Sequence, residues 1–371
     1  MTAPRLHPNT IPPGGTLGIL GGGQLGRMIA IAAAELGYRS HVMAPEATGP
    51  ATEVAAGWTQ GRFDDVEAVR AFAAAIDVAT YEFENVDPNA VAYLAGRVPV
   101  WPPVVSLDVS RYRPNEKTLV AELGGRTAEW RPVDSRAGLD AALAEIGAPA
   151  ILKTTLFGYD GKGQARIDAP ADAAAAWATI GAPRPIAGGV PAILERRVDF
   201  FAEFSVILAR GHDGATAEWD TPENVHRDGI LHTSTVPPSP RVAAQSAEAI
   251  ALTRAIAERL GHVGVLTAEF FATDAGPVFN EMAPRVHNSG HWTIEGAETS
   301  QFENHVRAVL GLPLGSTAMT GKRAVMENLI GHDADRWREL MADPTARLHL
   351  YGKSMRAGSK MGHVTRMTRR A

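Results

Sequence analysis

Thr16-Leu17-Gly18-Ile19-Leu20 is a short apolar strand that runs directly into Gly21-Gly22-Gly23-Gln24-Leu25-Gly26 and then into a helix over 27–36. Met28, Ile29, Ala32, Ala33 and Leu36 recur at helical spacing on one face, and Gly37 closes the helix. A second strand over 38–43, a helix over 64–75 capped by Asp64 or Asp65, and a third strand over 76–83 follow at similar intervals. Strand and helix alternating at this spacing require a parallel sheet covered by helices on both faces.

Downstream the pattern changes. Prolines 99, 102, 103 and 114 mark a linker. Two helical stretches between Glu116 and about Ile180 flank the strand Ala150-Ile151-Leu152-Lys153. A Gly/Pro-rich segment, 181–191, separates this lobe from a strand-rich one with strands over 192–195, 203–208, 263–271 and 278–281 and a helix over 243–260. Gly311 to Gly321 reads as a last linker. The expected organisation is a disordered extension over 1–15, a Rossmann-like domain over 16–112, a small lobe over 113–190, a large lobe over 191–313 and a β-rich C-terminal part over 314–371. The fold class is α/β with α+β lobes.

Composition removes several function classes. With 371 residues the chain can bury large cores without cross-links, and the absence of cysteine excludes disulfides, a thiol nucleophile and Cys-ligated metal. A net charge of −5 gives no reason to expect nucleic acid as the main partner. No apolar run approaches the roughly 18 residues of a membrane span. Residues 1–15 hold four prolines and no apolar core of a leader. A cytoplasmic multi-domain enzyme is expected.

Gly21-x-Gly23-x-x-Gly26, after a strand and opening a helix, matches a dinucleotide fingerprint, so a nicotinamide-dependent oxidoreductase is one reading. The acidic residue expected about 20 positions later is poorly supplied, since Glu46 follows Pro45 past the strand. Lys153 ends a strand, and Gly158-Tyr159-Asp160-Gly161-Lys162-Gly163-Gln164 follows. A strand-borne lysine beside a glycine-rich cover suits a nucleoside triphosphate, although the order is not that of a Walker loop. Glu195 stands where a hinge presents backbone groups to an adenine, and Glu203 where ribose hydroxyls are held. Glu269 and Glu281 lie on two strands, the second beside Asn280, as hard oxygen ligands for Mg²⁺. His287 and His291 have the spacing of a zinc pair, but Ser289 and Gly290 between them disfavour a helix and no third ligand stands out.

The densest segment runs Asn280-Glu281-Met282-Ala283-Pro284-Arg285-Val286-His287-Asn288-Ser289-Gly290-His291-Trp292. It resembles the signature of the N5-carboxyaminoimidazole ribonucleotide synthetases, the ATP-grasp carboxylases of purine biosynthesis. Gly23 to Met28, Thr80 to Asn85, Gly158 to Gln164, His226 to Ile230, Ser300 to His305 and Lys353 to His363 fit the same family, in order, across residues 16–366. The resemblance implies an ATP-grasp fold over the two lobes, preceded by the Rossmann-like domain. It assigns ATP to Arg113, Lys153, Gly158 to Gln164, Glu195, Arg196, Arg197, Val198, Glu203 and His226, with Asn280 and Glu281 beside the nucleotide. Glu269 and Glu281 would bind Mg²⁺, two ions in all. Arg285, His287 and Asn288 would surround bicarbonate and the carboxyphosphate made from it, with Lys153 sharing in catalysis. Tyr159 and Asp160, with Gln24 and Glu84 nearby, would contact aminoimidazole ribonucleotide, whose 5′-phosphate would fall to Lys353, Arg356 and Lys360. A homodimer is implied, with no nucleic-acid or membrane partner.

Residues 346–371 hold seven Lys or Arg and no Asp or Glu. Gly352 and Gly358 punctuate the run, and Leu348, Leu350 and Met361 alternate with polar residues as in short strands. A packed phosphate site fits this better than a solvated RNA-binding tail. Two rival enzymes remain: a formate-using glycinamide ribonucleotide transformylase of the same superfamily, and the oxidoreductase, which leaves every later motif unused.

Overall fold

The computed structural model describes residues 6–156, 162–183 and 188–368. Its N-terminal sheet is built from β1 (Thr16–Leu20), β2 (Arg39–Ala44), β3 (Gly57–Gln60) and β4 (Val78–Tyr81), all parallel in the order β3-β2-β1-β4. The helix α1 (Gln24–Glu35) packs on one face with Leu17 and Ile19, while α2 (Val66–Ala74) and α3 (Pro88–Ala95) cover the other with Leu20 and Tyr81. Alternate residues of β1 thus serve alternate cores, as the two-residue period of a strand dictates. Asp65 caps α2, accepting from the backbone N–H groups of Glu67 and Ala68.

After α4 (Val104–Arg111) and α5 (Arg113–Glu122), a second sheet forms from β5 (Trp130–Val133), β6 (Ala150–Thr154), β7 (Gln164–Ile167) and β8 (Ala192–Arg196). Its order is β5-β8-β6-β7, antiparallel throughout, with α6 (Arg136–Ile146) and α7 (Ala173–Thr179) closing its core. The Gly/Pro-rich segment 181–191 is therefore a connection inside one lobe. It does not separate two, because β8 returns between β5 and β6 to satisfy both strand edges.

The third sheet has nine strands: β9 (Ala202–Arg210), β10 (Thr216–Glu218), β11 (Glu223–Arg227), β12 (Ile230–Val236), β13 (Gly264–Thr273), β14 (Gly276–Ala283), β15 (Arg323–Ile330), β16 (Ala346–Leu350) and β17 (Lys360–Thr368). They run β14-β13-β9-β11-β12-β15-β17-β16, with β10 on β9. The helices α8 (Pro240–Arg259), α9 (Thr293–Gly296), α10 (Gln301–Val309) and α11 (Trp337–Ala342) complete the chain. β12 pairs with β15, so the C-terminal strands extend the large lobe's sheet. The largest core likewise joins Leu17 and Ile29 to Ile207, Val306 and Met326. Residues 6–15 also depart from expectation. They are not a disordered extension: Ile11 N–H donates to Leu310 O at 3.0 Å and Tyr38 OH to Ile11 O at 2.7 Å. The segment docks through two tight turns, with Thr10 N–H donating to His7 O at 2.9 Å and Gly15 N–H to Pro12 O at 3.1 Å.

Two buried histidines hold the lobes together. His305 Nδ1 accepts from Val265 N–H at 3.0 Å, and its Nε2 meets Thr80 Oγ1 at 2.8 Å. His262 lies 3.0 Å from both Ser106 Oγ and Val265 O. Burial lowers His262 to about 4 and His305 to about 3, so both stay neutral in the fold. The unfolded chain accepts these protons near the usual 6.5, and the folded chain refuses them until pH 4 or 3. Stability should therefore fall as pH drops below 6.5, each histidine adding up to about 1.4 kcal/mol per pH unit. Urea midpoints between pH 7.5 and 5 test this. The variant His305→Gln should be weaker at pH 7.5 but show a shallower acid slope, and an unchanged slope would contradict the assignment.

Candidate active site

The glycine turn is already filled. Glu82, just past β4, lays its carboxylate against the N-terminus of α1, accepting from Gly26 N–H at 2.7 Å and from Gly23 N–H. A Cβ at Gly21 or Gly23 would run into this carboxylate. The glycines thus admit an internal anion at the place where a pyrophosphate would lie, which removes the dinucleotide reading. Burial raises the Glu82 carboxyl above its usual range, against the two N–H donors and the charges of Arg285 and Lys353. Gln24, next in the turn, accepts from Lys353 Nζ at 3.1 Å.

Lys153 closes β6 with its ammonium buried. Glu195, on the neighbouring β8, lies 2.9 Å from Lys153 Nζ and 2.9 Å from Lys117 Nζ of α5. Lys117 is 1% exposed and Glu195 3%. Burial alone would raise the Glu195 carboxyl, but the two ammonium groups hold it at about 2. Desolvation lowers Lys153. Sequence reading missed Lys117 because a lone lysine in a polar helix carries no signal until its burial is known. Arg113, the first residue of α5, reaches Glu281 Oε2 at 2.8 Å and Thr154 O at 3.2 Å. One turn on, Glu116 accepts from Met282 N–H at 2.9 Å, and burial pushes its carboxyl up to about 8. Glu116 too was missed. Arg196, the last residue of β8, and Arg197 after it reach Glu129 and Asp168, at 3.1 and 3.6 Å.

Glu269 and Glu281 are direct partners in the β13–β14 register, and a bulge immediately follows. Neighbouring strands therefore present both carboxylates to one face, with Asn280 Oδ1 3.4 Å from Lys153 Nζ. Glu269 also sits between two imidazoles: His287 Nε2 at 3.0 Å and His226 Nε2 at 3.9 Å, while His226 Nδ1 contacts Glu203. Burial works to raise Glu269, but His287 and His226 hold it at about 2. Burial likewise works to lower His226, and the hydrogen bond to Glu203 with the nearby carboxylates raises it instead. Two carboxylates and an amide oxygen form an acceptor set suited to a hard divalent cation.

Pro284 ends β14, and the chain turns through a 3₁₀ segment over Asn288–Gly290. Arg285 reaches Glu84 Oε1 at 2.6 Å and Val286 O at 2.9 Å, while among the described residues its buried Nε has no partner. Both polar atoms of the buried Asn288 carboxamide lack partners among the described residues as well. Unpaired donors this deep are costly unless a ligand completes them. His291, the second member of the suspected zinc pair, is buried against His363 with ring centroids 4.8 Å apart.

A single cleft of about 1730 Å³ joins these groups. Its walls include Gln24, Glu84, Arg113, Lys153, Lys162, Gln164, Val198 and Glu203 with the Glu269–Asn288 set, and Lys353, Arg356 and Lys360 from the C-terminal part. Arg356 is exposed and Lys360 half-buried. Gly163 stands apart, turned toward Thr154 at the β6–β7 hairpin with a φ of +70°. Gly158, Tyr159, Asp160 and Gly161 lie outside the described residues.

Residues 15–111 match the ribonucleotide synthetase preATP-grasp domain, 118–302 the ATP-grasp domain and 324–371 the phosphoribosylaminoimidazole carboxylase C-terminal domain. The N5-carboxyaminoimidazole ribonucleotide synthase of Brucella melitensis is 48% identical over 366 residues, covering 96% of this chain and 98% of the relative. The chain belongs to the N5-carboxyaminoimidazole ribonucleotide synthase family. A synthetase of this family, solved as its ADP complex, superposes with a TM-score of 0.91 at 39% identity, over 98% of this chain and 95% of its own. The synthase of Aspergillus clavatus, solved with ADP and 5-aminoimidazole ribonucleotide, gives a TM-score of 0.87 at 30% identity, over 96% and 94%. As a member of this synthase family the chain is an ATP-grasp ligase, and it uses ATP. The oxidoreductase and transformylase readings give way. Among the described residues, no helix is long and apolar enough to cross a membrane.

Proposed function

We propose that this chain carboxylates 5-aminoimidazole ribonucleotide with bicarbonate at the expense of ATP, giving N5-carboxyaminoimidazole ribonucleotide, ADP and phosphate in purine biosynthesis. The observation that carries this reading is one continuous cleft. It links the Lys153–Glu195 pair, the Glu269–Glu281 carboxylates, Arg285 with His287 and Asn288, and the cations Lys353, Arg356 and Lys360. In this reading a bicarbonate oxygen bonds to the γ-phosphorus as the bond to ADP breaks, giving carboxyphosphate. The exocyclic amine of the ribonucleotide then bonds to the carboxyl carbon, phosphate leaves with the C–O bond pair, and the nitrogen loses a proton.

Phosphoryl transfer depends mainly on positioning and charge neutralisation. Lys153 serves the phosphates, and Arg113, Glu195 to Val198, Glu203 and His226 the rest of the nucleotide. Arg285, His287 and Asn288 hold bicarbonate and exclude water from the acyl phosphate. Lys353, Arg356 and Lys360 take the 5′-phosphate, with Gln24 and Glu84 nearer the base and ribose. Glu269 and Glu281, with Asn280 adjacent, would hold two Mg²⁺, which when bound offset the phosphate charge. The active form is taken to be a homodimer, as the family resemblance implies, in the cytoplasm that the composition leads us to expect.

The test is ADP formation from MgATP and bicarbonate with and without aminoimidazole ribonucleotide. Strong stimulation with a labile carboxylated product is expected. No stimulation, together with turnover on formate and glycinamide ribonucleotide, would overturn the substrate assignment.

A further inference from the structure

The Ser300–His305 segment stands apart from the cleft wall, yet three of its side chains are fully buried and polar: Gln301, Asn304 and His305. Such groups persist in a core only when each is fully bonded. His305 ties β4 to β13, as described. Asn304 makes a closed pair with Gly315, donating to its carbonyl at 3.1 Å and accepting from its N–H at 2.7 Å. Gln301 does the same to a residue of the cleft. Its Oε1 accepts from His287 N–H at 2.9 Å, and its Nε2 donates to His287 O at 2.6 Å. The carboxamide thus takes both backbone groups of His287, as a neighbouring strand would, at a point where the chain has left β14.

Three more contacts tighten this arrangement. The second Nε2 hydrogen faces His291 Nδ1 at 3.3 Å. Gln301 N–H donates to Thr293 Oγ1 at 2.9 Å, and the same hydroxyl donates to Gly290 O at 2.6 Å. A Cβ at Gly290 would stand 2.5 Å from Gln301 Oε1, so the turn approaches the carboxamide as closely as only glycine permits. Beyond the turn, the His287 ring has its Nδ1 2.9 Å from Ser289 Oγ and its Nε2 3.0 Å from Glu269.

We propose that Gln301 is a positioning residue for His287. By binding both backbone groups of His287 it fixes where the imidazole meets Glu269 and the cleft, without itself touching a reactant. The proposal rests on the reading that His287 faces bicarbonate and carboxyphosphate. A displacement of about 1 Å at a reacting group can cost on the order of 10²-fold in rate, which sets the scale of the effect.

Two variants test it in the full chain. Gln301→Leu removes both bonds, and Gln301→Glu keeps the shape and the acceptor but loses the donor to His287 O. Ribonucleotide-dependent ADP formation should fall about 10²-fold in Gln301→Leu and less in Gln301→Glu, with a raised KM for bicarbonate and an unchanged KM for ATP. Amide hydrogen exchange over residues 285–291 should quicken in the same order. Wild-type turnover and exchange in both variants would overturn the proposal. So would equal losses toward ATP and bicarbonate that track a fallen melting temperature, because that is the mark of a purely structural residue. If the unaltered enzyme shows no response to the ribonucleotide, the substrate reading fails, whereas the exchange measurement still decides whether Gln301 holds His287.

Discussion

Arg285→Ala is expected to lower ribonucleotide-dependent carboxylation by about 10²–10³-fold while leaving ATP affinity nearly unchanged. Among the described residues the guanidinium is incompletely bonded: Nη2 meets Glu84 at 2.6 Å, Nη1 donates to Val286 O at 2.9 Å, and Nε is buried with no partner. A bicarbonate or carboxyphosphate oxygen bound to this partly buried guanidinium would make a charge-assisted hydrogen bond, stronger there than in open water. The proposed nucleotide side rests on other groups, the Lys153–Glu195–Lys117 set on β6, β8 and α5, so losing Arg285 leaves it intact. His287→Ala should act in the same direction, since it removes the imidazole bonded to Glu269. ADP formation measured beside nucleotide binding by calorimetry separates the two effects. Normal turnover in either variant would sink the assignment, and a matching loss of ATP affinity would move these residues to the nucleotide.

Glu195→Ala should cost about 3–5 kcal/mol of stability, because it leaves two ammonium groups buried without a counter-ion. Lys117 is 1% and Lys153 7% exposed, so Lys117 cannot turn to water without opening the lobe, and Lys153 meets it only at the cleft wall. The pH dependence has a definite sign. Glu195 is held at about 2, below its ordinary 4.5, so its contribution is present above pH 4.5 and lost as pH falls toward 2. Urea unfolding should therefore show a wide gap between the wild type and Glu195→Ala at pH 7 and a narrow one near pH 3. ATP should restore part of the deficit if its phosphates replace the missing negative charge. A gap at pH 7 below about 1 kcal/mol, the level of an exposed pair, would show that the lysines are not confined as described.

Much of this architecture was legible along the chain. The strand, glycine turn and helix of residues 16–36 are encoded by spacing and by turn residues within a short window, and the structure forms them as β1 and α1. The alternation around Leu348 and Met361 marked β16 and β17. Glu269 and Glu281 were readable as carboxylates on two strands because a tight hairpin puts them in register.

What sequence alone left open depends on distant segments meeting. Gly21 to Gly26 spells a dinucleotide loop, and only the fold shows Glu82 already seated in it. The Gly/Pro run at 181–191 has the composition of a domain boundary, yet β8 returns to the sheet it came from. Lys117 is an unremarked helix residue until β8 brings Glu195 to it. Gln301 and His287 lie in separate motifs until α10 packs behind the turn. Periodicity and turn chemistry are local, so one strand or helix at a time can be read from residue order. Pairing of buried charges and carboxamides is settled by desolvation, which depends on every element that closes around them, and that is a property of the tertiary structure alone.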